Sequence, residues 1–174
     1  MRPTLIQPTG VERRFHEDEL IVSKTDLKGV ITYANHVFCR IAGYTEDELV
    51  GQPHNIVRHP DMPRCVFKLM WDTIQFGEEM FGYVLNLAKN GDHYWVFAHI
   101  TPTFDLHGNI TGYHSNRRVP EPAAVASAEQ VYGLLLDEER KFGNWRDGMA
   151  ASGELLSSLL AKAGMPYEEW VFSI

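Results

Sequence analysis

The spacing of apolar residues divides the 174-residue chain into a β-rich hairpin, a run of short helices, three extended segments and a helical end. "ELIVSKTDLKGVITYAN" carries β-branched runs at Leu20 to Ser23 and Val30 to Tyr33 around the turn signal "DLKG", a pattern that predicts a hairpin. "HVFCRIAGY" reads as a short helix. Thr45 with Glu48 three residues on is a capping-box pattern that opens another, closed by Gly51. From Pro63 to Gln75 apolar residues recur at helical spacing, and Gly77 ends the helix. The period then becomes extended. "MFGYVLNLA", "HYWVFAHITPTF" and "ITGYHSNRRV", parted by "KNGD" and "DLHGN", predict three antiparallel strands.

Five strands with short helices between them predict a two-layer α+β domain over residues 15–119. Residues 1–14 read as a loose N-terminal arm, and 120–128, "PEPAAVASA", as a Pro/Ala/Ser-rich linker. Residues 129–174 read as a helical C-terminal extension. Its second helix, Asn144 to Ala163, sets Met149, Leu156, Leu159 and Leu160 on one face, a stripe that must pack on the domain or on a second subunit.

Composition narrows the function. A formal net charge of -7 argues against a sequence-independent grip on nucleic acid. No apolar run is long enough for membrane insertion and the start has no signal-peptide core, so a cytoplasmic protein is expected. Cys39 and Cys65 lack CxxC spacing and read as reduced, packed thiols. The signatures of dinucleotide folds, phosphate loops, zinc proteases and serine hydrolases are absent, and the eight histidines show no metal-ligand spacing. The chain therefore does not read as an enzyme.

Two features stand apart. "HNIVRHPDMP" places Arg58, His59 and Asp61 between fixed prolines at a helix mouth, which suits a surface corner or a ligand gate. Asn35 and Asn86 are amides on otherwise apolar elements. Asn35 fits a helix cap, whereas an Asn inside the strand "YVLNLA" is costly unless its partners are supplied. Amides converging on an apolar pocket suit a planar heterocycle with donor and acceptor edges.

The run from "TDLKGVITYAN" through "GQPHNIVRHPDMP" and "MW" to "KNGDHYWV" resembles a PAS sensory domain, and specifically the FAD-binding PAS domains of bacterial aerotaxis receptors. The resemblance covers roughly residues 20 to 119 and implies a PAS fold with a bound FAD. Position by position it implies that Arg58, His59 and Asp61 bind the cofactor and that Asn35 and Asn86 lie near its ring. It sets Trp71 and Tyr94 on the aromatic positions that line or support the pocket. Met80, beside Phe81, stands where those domains have a Trp near the flavin. The expected function is a soluble flavoprotein redox sensor in aerotaxis, chemotaxis or related signal transduction, a homodimer that signals to a chemoreceptor, histidine kinase or other signalling protein. Two other readings remain open at this point. One is a PAS interaction module without cofactor, and the other a haem-based gas sensor with His59 or His54 as axial ligand.

Overall fold

The computed structural model describes residues 6–174. Five antiparallel strands form one sheet in the order β2-β1-β5-β4-β3, where β1 is Ile21–Thr25, β2 Ile31–Ala34, β3 Met80–Leu87, β4 His93–Phe104 and β5 Ile110–Arg118. The hairpin β1–β2 closes because the Asp26 carboxylate accepts from the Lys28 and Val30 amides while Gly29 takes φ 76°. Gly29 has a second reason to lack a side chain, since a Cβ there would lie 2.9 Å from the Trp71 ring.

Between β2 and β3 the chain crosses one face of the sheet as α1 (His36–Ala42), α2 (Glu46–Leu49), a single 3-10 turn (His54–Val57) and α3 (Arg64–Gln75). Thr45 and Glu48 form the predicted capping box, and Pro63 precedes α3. The first core, Ile21, Phe38, Ile41, Leu49, Val57, Tyr94 and Val96 among others, fills the space between α1, α2 and the sheet. A second core gathers α3, β3 and the C-terminal helices. The two cysteines are free thiols, Cys65 buried and Cys39 partly so.

The extension differs from its sequence reading. Helix α4 spans Pro122–Arg140, so most of the segment expected as a linker is helical. Pro122 occupies the first turn, where its missing N–H leaves no bond unmade, and Ala124 and Ala128 are buried against the domain. Alanine and serine here mark a close helix contact. Tyr132 stacks on Trp95 with ring centroids 6.2 Å apart and donates to the Tyr83 carbonyl at 2.7 Å. The chain returns as α5 (Trp145–Ala163) and α6 (Tyr167–Ser173), and Phe172 meets Phe81 on β3. Gly148 lets α5 approach α4, because a Cβ would stand 2.6 Å from the Glu139 carbonyl oxygen. The Met149, Leu156 and Leu160 stripe packs into the second core.

The arm is likewise tied down over residues 9–13. Its backbone pairs with Gly91 and His93, and Arg13 and Thr9 both bond the Asp92 carboxylate, which these donors and Asn90 hold down at about 2. Neither prolines nor weak periodicity could announce contacts to a turn 80 residues away.

Candidate functional site

A cavity of about 610 Å³ opens between α3, the β1–β2 turn and the inner face of the sheet, within the range of small-molecule and cofactor sites. Its apolar wall is Phe67, Met70, Trp71, Ile74, Val84, Ala98 and Ile100. Trp71 is fixed edge-on to Tyr113 at 5.5 Å. Trp145 and Met149 of α5 complete the rim, so the C-terminal extension is part of the site.

Five cationic side chains line this cavity, Lys28, Arg58, Arg64, Lys68 and Arg117, and among the described residues no carboxylate does. In a chain of net charge -7 that is a strong local reversal. Arg58 lies over the Phe67 ring at 4.3 Å and donates to the Met62 carbonyl. Arg117 sits deepest, 2% exposed, over the Phe38 ring at 4.5 Å. One of its Nη atoms donates to Ser23, while Nε and the other Nη find no partner among the described residues. Burial pushes its guanidinium down to about 10, still cationic at neutral pH. Asn86, 4% exposed, likewise leaves its Nδ2 unpaired.

Ser23 joins Arg117 to His54, whose Nε2 lies 3.0 Å from the Ser23 hydroxyl. Because that oxygen already accepts from Arg117, its own proton goes to Nε2, and His54 carries its proton on Nδ1. Burial and the Arg117 charge push the imidazole down to about 3, so His54 is neutral.

Residues 31–116 match the family described as PAS fold. The matched segment is a PAS domain. The chain is 47% identical over 119 residues to the aerotaxis receptor of Escherichia coli K12, covering 68% of this chain and 23% of that protein. It is 33% identical to the nitrogen fixation regulatory protein of Klebsiella pneumoniae, covering 56% of this chain and 20% of the relative. It thus spans less than a quarter of these relatives. A solved structure described as "Flavin Analogue Sheds Light on Light-Oxygen-Voltage Domain Mechanism" shares the fold, with a TM-score of 0.55 at 23% identity over 71% of this chain and 87% of that one. The resemblance read from "RHPDMP" and "KNGDHYWV" is thereby shown. Among the described residues no helix is long and apolar enough to cross a membrane.

In this PAS domain the seven residues expected at the cofactor separate into two sets. Arg58, Trp71 and Asn86 line the cavity together; Asn35, His59, Asp61 and Tyr94 do not. Asn35 is spent as a cap. Its Oδ1 accepts from the Phe38 and Val22 amides and its Nδ2 donates to the Leu20 carbonyl, which leaves little capacity for a ligand. His59 is buried beside His93, and its Nδ1 accepts from the Asp61 amide, shaping the turn. Asp61 is exposed and faces Arg140 of α4 at 3.7 Å. Tyr94 is fully buried behind the wall, a supporting position, with its hydroxyl proton held tightly by burial.

"RHPDMP" is therefore chiefly a structural corner. Arg58 pairs its backbone with Asn86 on β3, and the Met62 sulfur accepts from the Leu85 amide at 3.2 Å, which covers the edge strand. Of the motif's residues only Arg58 lines the cavity. Sequence reasoning missed Arg117 and Ser23, and named His54 only as a haem ligand. One signal was available, since an Arg in the third extended run, within a domain of alternating faces, implies a buried cation whenever its neighbours 113 and 115 face inward.

Proposed function

We propose that this PAS domain binds a flavin nucleotide, FAD by its resemblance to aerotaxis PAS domains, and acts as a redox sensor for a separate signalling protein. The observation that carries this reading is the cavity itself, about 610 Å³ with a largely apolar wall, an amide and a guanidinium with unpaired nitrogens inside and cations around it, but no carboxylate among the described residues. A planar ring with acceptor edges and a phosphate-bearing tail supplies what those groups lack. Trp71, Phe67 and Met70 would enclose the ring; Asn86 and Arg117 would meet its polar edges. Lys28, Arg58, Arg64 and Lys68 would hold the phosphates. The bound flavin supplies reversible uptake of electrons. Neither cysteine lines the cavity, so the chain offers no thiol to add to a ligand there. His54, a possible haem ligand by type, has its Nε2 engaged by Ser23, which favours flavin over haem.

The output route in this reading is α3 to α4 and α5. Arg64 lines the cavity and also bonds Glu139 of α4, and Trp145 and Met149 of α5 touch the same space. A change in occupant is felt directly by the extension, which then meets a chemoreceptor, a histidine kinase or a similar partner.

Reconstitution with FAD, FMN or haemin followed by desalting tests the binding. Retained two-banded flavin absorption with FAD tighter than FMN is the expected result. A colourless protein returns the domain to the cofactor-free interaction module, and a sharp haem band removes flavin.

A further inference from the structure

Among the described residues Arg117 is the only group in the cavity that is at once cationic, almost fully buried and short of partners. The five lining cations are unequal: Lys28 is exposed, Arg64 is paired with Glu139 and Lys68 with Asp72, both partly exposed, and Arg58 rests on Phe67. Among the described residues Arg117 has no carboxylate within ion-pair distance, donates one side-chain hydrogen bond, to Ser23, and leaves two of its three guanidinium nitrogens without a partner. Strand register sets the side chain on the cavity face of the sheet, and Arg117 itself lines the cavity. Arg117 stands opposite Ile21 on β1 and Ala98 on β4, and Ala98 lines the cavity. Its other neighbours cannot compensate it. His54 is held neutral with Nε2 accepting from Ser23, and Phe38 offers only a ring face. A buried charge left in this state is costly unless a ligand brings the opposite one.

We propose that Arg117 is a ligand-binding residue that selects for a negatively charged ring, holding a reduced flavin more tightly than an oxidised one. This rests on the flavin reading above. The charge balance is simple. A neutral oxidised isoalloxazine that takes up two electrons and one proton leaves with one negative charge, whereas the oxidised ring offers Arg117 only neutral carbonyl and imine acceptors. In the test the electrons come from dithionite, a sulfur oxyanion reductant, which is itself oxidised to sulfite. The fork geometry of a guanidinium suits two adjacent acceptors on one edge of such a ring. Differential binding of this kind biases the domain towards the reduced form and ties the signal to one redox state.

The experiment compares the dissociation constants of oxidised and dithionite-reduced FAD for the full chain under anaerobic conditions. Wild type should bind the reduced form roughly tenfold or more tightly, the factor expected of a charge-assisted bond over a neutral one. Arg117→Gln should bind both forms about equally, and Arg117→Lys, which keeps the charge, should retain most of the preference. Equal affinities in wild type overturn the proposal without any variant, so loss of fold in Arg117→Gln does not shield it. An undiminished preference in a folded Arg117→Gln also overturns it and leaves the flavin reading standing. Wild type that takes up no flavin overturns both.

Discussion

Among the described residues two ionic side chains are buried, Glu139 and Arg117, and they are treated in opposite ways. Glu139, at the end of α4, accepts from the Arg64 and Cys65 amides at 2.6 and 3.3 Å, from the Arg64 guanidinium at 3.0 Å and from the Ser152 hydroxyl at 3.1 Å. It sits at the N-terminus of α3, where the helix's free N–H groups and its dipole favour an anion. Arg117, buried to a similar degree, has two of its three guanidinium nitrogens without a partner among the described residues. A buried charge that the protein satisfies completely locks elements together. One that it leaves half satisfied waits for something else.

The largest effect should come from breaking the satisfied charge. Glu139→Ala strands two backbone amides, unpairs the Arg64 guanidinium and leaves the Ser152 hydroxyl only the Met149 carbonyl, and should lower stability by about 3–5 kcal/mol in urea unfolding. Glu139→Gln keeps most acceptors and should cost less than half of that. Equal losses for the two substitutions would show that packing, not charge, fastens α4 and α5 to α3.

The unsatisfied charge has a pH signature through His54. Its folded imidazole lies at about 3 against an ordinary value of 6.5, so between these values the unfolded chain binds the extra proton. Stability from this group is complete above about pH 6.5 and is lost as pH falls towards 3, by at most about 1.4 kcal/mol per unit, and by less where cavity water reaches the ring. His54→Phe should flatten that part of the stability profile and leave the rest unchanged. A slope of the same size in the variant would assign the acid sensitivity to other groups.

Arg117→Met reverses the sign expected of a core substitution. Removing an uncompensated buried cation should be neutral or stabilising by up to about 1–4 kcal/mol in the ligand-free protein, while flavin binding weakens. Destabilisation by more than about 2 kcal/mol would mean that the Ser23 bond and the Phe38 contact already compensate it.

These residues also mark how far the sequence could be read. The strands, the capping box at Thr45 and the helix after Pro63 are written locally, in alternation, caps and prolines, so they were legible. The resemblance carried the fold, and of the seven residues it named Arg58, Trp71 and Asn86 line the cavity. It could not show that Asn35 spends its amide on its own helix and on β1, because residue type fixes hydrogen-bonding capacity and not its use. Nor could it find the Arg117, Ser23 and His54 chain, whose members lie 94 and 31 residues apart and meet only through strand register. The helix over the expected linker escaped for a different reason. Alanines read as flexible spacers until the surface they pack on is known.

The smallest expected effect falls on the segment that looked most like a site. Within "RHPDMP", the Asp61 side chain is 57% exposed and faces Arg140, which is 63% exposed, at 3.7 Å and the His59 Nδ1 at 3.8 Å; the pair with Arg140 is of a kind worth about 0–1 kcal/mol in water. Asp61→Ala should therefore change stability by less than about 1 kcal/mol and leave flavin affinity within roughly twofold of wild type. Arg58→Ala, three residues away, removes a cation that lines the cavity and should weaken flavin binding by roughly tenfold or more. The pair divides one motif into a wall and a corner, and affinity measurements on the two variants decide whether the division is right. Comparable losses in both would mean that the corner closes over the ligand and carries Asp61 to it; a loss confined to Arg58→Ala leaves Asp61 as a contact to α4. The second outcome also predicts that raising the salt concentration, which screens exposed pairs far more than buried ones, reproduces Asp61→Ala and does not reproduce Glu139→Ala.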